Sequence, residues 1–356
     1  MNRPIALSRL IPSRHPLLQA PMAGAQGSAL ALAVCAAGGV GSLPAAMLSP
    51  EALHAELQVL REQARGPWNV NFFCHTPPAP DAEAEARWRQ TLRPFYDEAG
   101  IDPASVPAGA GRVPFSHAVA DLVEPFAPPV VSFHFGLPAP DLLARVKAWG
   151  SRVLSSATTV DEALWLEAHG VDAVIAQGLE AGGHRGMFLT EALGSQLGTF
   201  ALLPQVVAAV KVPVIAAGGI ADAAGVRAAV ALGASGVQVG TTYLCCPEAG
   251  TSALHRAALM SAGARHTELT TLFSGRPARG IVNRLMRELG PLNPAAPAFP
   301  LATAAVAPLR AHFEALGRND CTPLWSGQNA SGCRAAPAAE ITAALAQGFG
   351  PELVCG

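Results

Sequence analysis

Short apolar runs recur along the chain, and most are separated by stretches in which apolar residues follow a helical period. The clearest run, residues 173–177, is apolar up to its last residue and leads into a polar loop, 178–186, that contains four glycines. Continuous apolar runs of this length are typical of strands buried on both faces of a parallel sheet. The pattern predicts eight strands, at 17–22, 39–43, 68–73, 129–135, 152–156, 173–177, 212–217 and 236–240.

Helices are predicted between these strands, and one of them has a well-marked start. Ser49, Pro50 and Glu51 supply in order an N-cap, a first-turn proline and an early acid. The other predicted helices cover residues 26–37, 81–96, 117–122, 140–149 and 221–232, and one more begins at 159. Residues 100–128 are rich in proline and glycine and are expected to loop over the barrel that these strands form.

Eight strands alternating with helices or long connections predict an α/β fold, a (β/α)8 TIM barrel. The alternative is an open, doubly wound sheet, which the lack of a G-x-G-x-x-G motif after the first strand disfavours. Residues 246–320 intervene before the last amphipathic segment, 338–347, and are expected to form a smaller, mostly helical cap. The predicted domains are a barrel at 1–245, a helical cap or substrate domain at 246–320, and a return loop with a helix that closes the barrel at 321–356.

Composition and charge exclude several classes of function. Charged residues make up 14% of the chain and the net charge is −2, so there is no basic field that would suggest nucleic acid. The seven cysteines contain no C-x-x-C pair, which indicates neither a disulfide framework nor a metal site. The amino terminus lacks a signal-peptide pattern and no apolar run is long enough to span a membrane, so a cytoplasmic protein is expected.

Candidate chemistry is expected at the carboxyl ends of the strands, where TIM-barrel active sites lie. Polar or flexible residues stand at or near the ends of four predicted strands: Met22, Asn71, His134 and Gln177. The seventh and eighth strands end in Gly218-Gly219 and Gly240-Thr241. Both of these loops suit a phosphate, because glycine amides and a helix amino terminus can bind one without a basic side chain.

Each candidate residue has a structural alternative. His184 is the one group of the 178–186 loop that titrates near neutral pH, and a glycine-rich loop is not a core position, so catalysis is predicted for it. His134 alternates with two phenylalanines, and a lone strand histidine is more often structural than a substrate contact. Asn71 and Gln177 could cap neighbouring backbone, although amides that donate and accept also suit a flavin ring edge. A glycine pair alone could be only a turn.

Together, these residues resemble the nitronate monooxygenase family, formerly called 2-nitropropane dioxygenases, and within it class I. The resemblance extends over nearly the whole chain. Its most specific string is Glu180-Ala181-Gly182-Gly183-His184-Arg185-Gly186, which follows a predicted strand. The other matching strings begin at Gln19, Asn69, Val131, Ile215, Gln238, Phe273 and Leu324.

The resemblance implies an enzyme that holds FMN non-covalently. It implies oxidation of alkyl nitronates, such as propionate 3-nitronate, by O2 to a carbonyl compound and nitrite through a flavin semiquinone, in a detoxifying role. His184 would be catalytic and would contact the substrate together with His134. Cofactor contacts are implied for Met22, Asn71, Gln177, Gly182, Gly183, Gly218, Gly219, Gln238, Val239, Gly240 and Thr241. The expected partners are the small-molecule nitronate and O2, with no nucleic acid, membrane or metal, in a monomer or homodimer.

One feature departs from class I, whose members line the substrate pocket with several tyrosines and a lysine from the cap. This chain has only Tyr96 and Tyr243, and no lysine after Lys211. Two alternatives stay open: an NAD(P)H:quinone or enoyl reductase on the same FMN barrel, and a non-catalytic protein that binds flavin or phosphate. Arg276 and Arg279 are expected to tie the cap to the barrel, and residues 325–329 to return over the site.

Overall fold

The computed structural model describes residues 7–106, 112–351 and 353, and eight parallel strands within them form a barrel. The strands of the described chain are β1 (Leu17–Gln19), β2 (Gly41–Pro44), β3 (Trp68–Phe73), β4 (Val130–His134), β5 (Arg152–Ala157), β6 (Ala173–Gln177), β7 (Gly183–His184), β8 (Val214–Ala217), β9 (Gly236–Val239), β10 (Thr267–Thr270) and β11 (Ala278–Ile281). The barrel order is β1-β9-β8-β6-β5-β4-β3-β2, and a parallel bridge between Leu18 and Val40 joins its two ends. The predicted TIM barrel is confirmed, and the open-sheet alternative is wrong.

Most predicted strand bounds agree with the structure to within two residues, and those of β3 and β6 agree at both ends. The first strand is the exception, because it was predicted to continue to Met22 but ends at Gln19. Residues 20–22 instead leave the sheet and line a cavity at the carboxyl end of the barrel. At the amino end, Leu7 and Ile11 pack against inward-facing strand residues such as Leu154 and Ile215.

Several helices agree with the predictions to within two residues, namely those predicted at 26–37, 117–122, 140–149 and 221–232, whereas helices at 7–10, 199–209 and 284–289 were not predicted. The helices of the described chain are α1 (Leu7–Leu10), α2 (Ser28–Ala36), α3 (Pro50–Gln63), α4 (Ala82–Thr91), α5 (Arg93–Ala99), α6 (His117–Val123), α7 (Pro140–Ala148), α8 (Val160–Ala168), α9 (Thr199–Ala209), α10 (Ala223–Ala231), α11 (Ala253–Leu259), α12 (Arg284–Leu289), α13 (Ala302–Ala315) and α14 (Ala338–Ala346). Ser49 caps α3 as predicted, since its hydroxyl accepts the Ala52 N–H at 3.2 Å. Within the predicted 100–128 loop, residues 107–111 lie outside the described residues.

The helix predicted at 81–96 is two helices, α4 and α5, that meet at Leu92. Pro94 explains the break, because it has no N–H with which to continue the hydrogen bonds of α4. Both helices pack on the segment that follows β9, in a second core separate from the barrel core. That core contains Trp88, Leu92, Phe95, Tyr96, Leu272, Leu285, Met286, Val306, Leu309 and Phe313. The domain boundaries themselves stay a prediction.

A three-stranded antiparallel sheet, in the order β10-β11-β7, was not predicted. Its third strand, β7, lies within the 178–186 loop, where His184 pairs with Ala278 and Gly183 with Arg279. The cap therefore holds the backbone of His184 directly. The helices expected around 251–261 and 304–316 are present as α11 and α13.

The predicted C-terminal helix is α14, which packs between α2 and α10 and completes the ring of helices. Its Thr342 hydroxyl lies 2.8 Å from the hydroxyl of Tyr243, in the segment after β9. None of the helices in the described ranges has the length and hydropathy needed to cross a membrane.

Candidate active site

A cavity of about 400 Å³ opens at the carboxyl end of the barrel, beneath the cap. This volume is within the range of pockets that bind small molecules and cofactors. Every residue predicted for the site lines it: Met22, Asn71, His134, Gln177, Gly182, Gly183, His184, Gly218, Gly219, Gln238, Val239, Gly240 and Thr241. The structure therefore brings the predicted residues together, and their individual roles stay predictions.

His184 stands in an aromatic part of the cavity. Its ring centre lies 5.4 Å from that of Phe299, 5.6 Å from that of Trp325 and 6.1 Å from that of Phe135. Its Nε2 atom lies 2.8 Å from the Ser274 hydroxyl, which the cap supplies. The ring is thus packed on apolar groups and oriented by one polar partner.

Burial lowers the pKa of His184 well below its ordinary value, and the positive charges of Arg112 and Arg276 lower it further. His184 is therefore a neutral imidazole at neutral pH. A neutral imidazole can donate one hydrogen bond and accept another, or accept a proton. The same surrounding positive charge favours any anion that binds beside the ring.

His134 uses both ring nitrogens within the protein. Its Nε2 lies 3.2 Å from the His184 carbonyl oxygen and its Nδ1 lies 3.0 Å from the Ser156 hydroxyl. Because a carbonyl can only accept, Nε2 carries the proton and Nδ1 accepts from Ser156. Burial lowers the pKa of His134 to about 4, so the ring is neutral. These contacts favour a role in positioning the His184 backbone; the predicted substrate contact stays a prediction.

Gln177, at the end of β6, also holds the backbone of the 178–186 loop. Its Nε2 donates to the His184 carbonyl at 2.9 Å, and its Oε1 accepts the Gly186 N–H at 2.8 Å. The fully buried Arg185 donates to the carbonyls of Gln177 and Gly178 at 2.8 and 2.7 Å. The loop that carries His184 is therefore fixed before any ligand binds.

Two amide side chains of the cavity have acceptor oxygens left over. The Asn71 side-chain nitrogen donates to Ser132, at 2.9 Å to the hydroxyl oxygen and 3.2 Å to the carbonyl oxygen. The Oε1 atom of Gln238 is buried and has no partner among the described residues. Leaving a buried acceptor unpaired costs about 1–3 kcal/mol, so this wall of the cavity is suited to a ligand with N–H donors.

The loops after β8 and β9 form a cradle of free amides. Among the described residues, the N–H groups of Gly218, Gly219 and Gly240 have no backbone acceptor. Gly218 and Gly219 have φ values of 114° and 74°, a region that side-chain-bearing residues rarely adopt. Free amides at strand ends bind phosphate groups in many proteins. Together, the acceptor-rich wall and this cradle fit a cofactor with a polar ring system and a phosphate.

Residues 325–329 return over this end of the cavity, as predicted. The Gly327 N–H donates to the Thr241 hydroxyl at 2.9 Å, and the Asn329 side chain donates to the Gly219 carbonyl at 3.0 Å. Among the described residues that line the cavity, Glu180 is the one carboxylate, and it accepts the N–H and hydroxyl of Thr199 at the start of α9.

The predicted tie between cap and barrel is present, because Arg279 donates to the Leu179 carbonyl at 2.9 Å and Arg276 donates to that of Met187. The sequence reasoning missed Ser274 and Arg112 as site residues. No motif distinguishes Arg112, and only the fold brings both residues towards His184. Ser274 does belong to one of the strings that carry the family resemblance, which was the one available signal.

The fold and the cavity define a TIM-barrel enzyme with its site at the carboxyl ends of the strands. The family model described as "Nitronate monooxygenase" matches residues 5–348. Proteins named nitronate monooxygenase from Paraburkholderia phytofirmans and Pseudomonas aeruginosa are 42% and 41% identical, over 96% of this chain and 93% and 97% of theirs. A nitroalkane oxidase structure from Streptomyces ansochromogenes is 38% identical with a TM-score of 0.86, covering 96% of this chain and 97% of that one.

The chain therefore belongs to the nitronate monooxygenase family and is an oxidoreductase. The predicted family is confirmed.

Proposed function

We propose that this enzyme holds FMN in the cavity and oxidises alkyl nitronates with O2 to a carbonyl compound and nitrite. Propionate 3-nitronate is one candidate substrate. The observation that carries the proposal is the surroundings of His184: a neutral imidazole packed among aromatic rings, with positive charge around it. A nitronate is a small anion with a flat, partly apolar body, so it matches such a pocket. The relatives named nitronate monooxygenase support the same assignment.

The residues that would hold FMN divide between the two ends of the cavity. Gly218, Gly219, Gly240 and Thr241 would bind its phosphate through amides. Asn71, Gln177 and Gln238 would contact the polar edge of the ring, and Met22 would pack beside the ring through its backbone. The bound flavin supplies the electron-transfer chemistry, whereas the protein supplies placement and electrostatics.

The side chains around His184 would bind and orient the nitronate. His184 would hold one nitro oxygen by a hydrogen bond, and Ser274 would fix the direction of that bond. Phe135, Phe299 and Trp325 would keep water out, which strengthens electrostatic contacts within the pocket. With a neutral nitroalkane as substrate, the same neutral imidazole could accept the α-proton.

The test is to replace His184 and measure nitrite release together with flavin content. We expect His184→Ala to keep its flavin and to lose about 100-fold in kcat/KM, the usual cost of removing one positioned hydrogen-bonding group. His169→Ala is the matched control, because His169 is exposed, directly follows α8 and stacks on Trp165 at 3.8 Å, outside the cavity. A His184→Ala enzyme that turns over nitronate like the wild type would contradict the assigned role.

The substrates of the proposed reaction are a small nitronate and O2. A cytoplasmic location and a monomeric or homodimeric state stay predictions.

A further inference from the structure

Two cysteines, Cys245 and Cys333, lie side by side at the edge of the site, although they are far apart in sequence. Their thiols are in hydrogen-bond contact with each other. The Cys333 Sγ atom also lies 3.3 Å from the carbonyl oxygen of Thr241. Both side chains pack in one small cluster with Leu244 and Leu324, separate from the barrel core. The proposed reaction uses neither thiol.

Cys245 is the more acidic thiol of the pair. A hydrogen bond from the Cys333 thiol stabilises its thiolate and, with the nearby charge of Arg256, lowers the pKa of Cys245 to about 7 despite burial. The Arg256 guanidinium is fixed there, because it donates to the carbonyls of Cys245 and Cys246 at 2.7 Å each. The thiolate is the form that reacts with oxidants, so Cys245 is reactive near neutral pH.

The pair also differs from its neighbours in exposure. Cys333 is partly exposed, so an oxidant has access to the pair from its side, whereas Cys245 is buried. The adjacent Cys246 lies in the barrel core, where burial raises its pKa to about 12. Cys321 is buried in the second core. Cys245 and Cys333 thus combine a partner thiol, a stabilised thiolate and access from solvent.

Cys333 ends the segment that returns over the glycine cradle, residues 325–333, which we call the return segment. Its backbone is in close contact with the barrel, since a Cβ on Gly332 would lie 2.3 Å from the Ala221 carbonyl oxygen. The partner cysteine ends the short turn 241–245, which begins in the cradle. A bond between the two sulfurs would therefore link the cover of the cradle to its base.

We propose that Cys245 and Cys333 form a redox site, in which a hydroperoxide oxidises the two thiols to a disulfide that fastens the return segment over the cradle. With hydrogen peroxide, the Cys245 thiolate attacks one oxygen and breaks the O–O bond, which gives a sulfenic acid and a hydroxide that takes up a proton. The Cys333 sulfur then attacks the Cys245 sulfur, and its proton leaves with the displaced hydroxide as water.

The reaction balances as two thiols and one hydrogen peroxide to one disulfide and two waters. The two electrons that the sulfurs lose reduce the peroxide, so no further reactant is needed. Disulfides that form in reducing compartments are usually transient and redox-sensing, and cellular thiols would reverse this one. The identity of the ligand held under the return segment, FMN, rests on the proposed function, whereas the disulfide does not.

The first test measures the bond itself. The flavin-containing protein is purified with its thiols reduced, treated with one equivalent of hydrogen peroxide and then denatured for thiol counting and peptide mass spectrometry. The count should fall by two, from the seven cysteines of the chain to five, and one peptide pair should join Cys245 to Cys333. A wild type that keeps all its thiols, or that oxidises Cys245 without linking it to Cys333, would overturn the redox site.

Two variants accompany this measurement. Cys333→Ser should form no disulfide at Cys245, because the resolving thiol is gone. Cys246→Ala is the matched control, since Cys246 is the next residue along the chain but lies in the barrel core. It should still lose two thiols and form the same link. Loss of the link in Cys246→Ala as well would contradict the assignment of the pair.

The second test measures the consequence for the bound flavin. We expect the disulfide form to release FMN roughly tenfold more slowly in mild urea than the reduced form, because a crosslink limits local opening of the return segment. The fluorescence of free flavin follows the release. Dithiothreitol should restore the faster rate, and Cys333→Ser should release FMN at this faster rate with or without peroxide.

The outcomes separate this inference from the proposed function. Equal release rates from the disulfide and reduced forms would overturn the claim that the bond fastens the return segment. A protein that forms the disulfide between Cys245 and Cys333 but binds no flavin would support the redox site and reject the proposed function. A protein that binds flavin and oxidises nitronates but forms no such disulfide would do the reverse.

Discussion

Buried neutral histidines make the stability of this enzyme depend on pH, and His255 offers the cleanest measurement. It lines the cavity, and its Nε2 donates to the Trp325 carbonyl at 3.0 Å. Burial lowers its pKa from 6.5 to about 4. In the unfolded chain the same histidine takes up a proton near pH 6.5. The unfolded state therefore binds more protons between pH 6.5 and 4, and the stability due to the neutral ring is lost as the pH falls through that window.

The size of this effect follows from the two pKa values. At pH 7.5 both states are almost fully deprotonated at His255, so it contributes almost no pH dependence. At pH 5.0 the histidine is protonated in the unfolded chain and mostly neutral in the folded protein. This difference lowers the free energy of unfolding by roughly 2 kcal/mol. His134 has a similarly lowered pKa and adds a loss of about the same size.

The perturbation is His255→Gln, which removes the titrating group and keeps a donor for the Trp325 carbonyl. The assay is urea unfolding at pH 7.5 and 5.0, followed by tryptophan fluorescence. When the pH falls from 7.5 to 5.0, the free energy of unfolding of the wild type should fall by about 2 kcal/mol more than that of the variant. His169→Gln, at an exposed histidine, should keep the wild-type pH dependence. If the free energy of unfolding fell equally in the wild type and in His255→Gln, the claim that His255 is buried in its neutral form would be refuted.

Two further predictions concern the walls of the site. Ser274→Ala removes the hydrogen-bond partner of His184 Nε2 and should lower kcat for nitrite release about three- to tenfold, with the flavin retained. An unchanged kcat would show that Ser274 does not orient His184. Gly182→Ala would place a Cβ 2.5 Å from the Gly327 nitrogen and should lower the midpoint of urea unfolding and the flavin content. Gly194→Ala, whose Cβ would meet no atom within 4 Å, should change neither; wild-type behaviour of Gly182→Ala would count against this packing.

The barrel could be predicted from the sequence because each strand is a local signal. Continuous apolar runs bounded by glycine or proline mark strands buried on both faces, and β3 and β6 were placed with both ends correct. The residues at the strand ends could then be predicted to line the cavity, because the carboxyl ends of parallel strands meet at one face of the barrel.

The cap could not be predicted in the same way, because its contacts are far apart in sequence. The pairing of His184 with Ala278 joins two segments that no periodicity connects, and β7 has only two residues. Arg112 reaches the site from a loop without a motif, and the string that contains Ser274 does not reveal its contact with His184. The pKa of His184 depends on burial and on the charges of Arg112 and Arg276 from two other segments, so its neutral state follows only from the fold.

The most direct test of the central claim is an absorbance spectrum of the purified enzyme, taken without air before and after a nitronate is added. We expect a flavin spectrum that changes when the nitronate binds, and nitrite release once air is admitted. A flavin spectrum that the nitronate leaves unchanged but that NADH bleaches would contradict the proposed reaction and indicate a reductase. A protein that shows no flavin absorbance, even after FMN is supplied, would contradict the assignment of the glycine cradle and the amide wall as a flavin site.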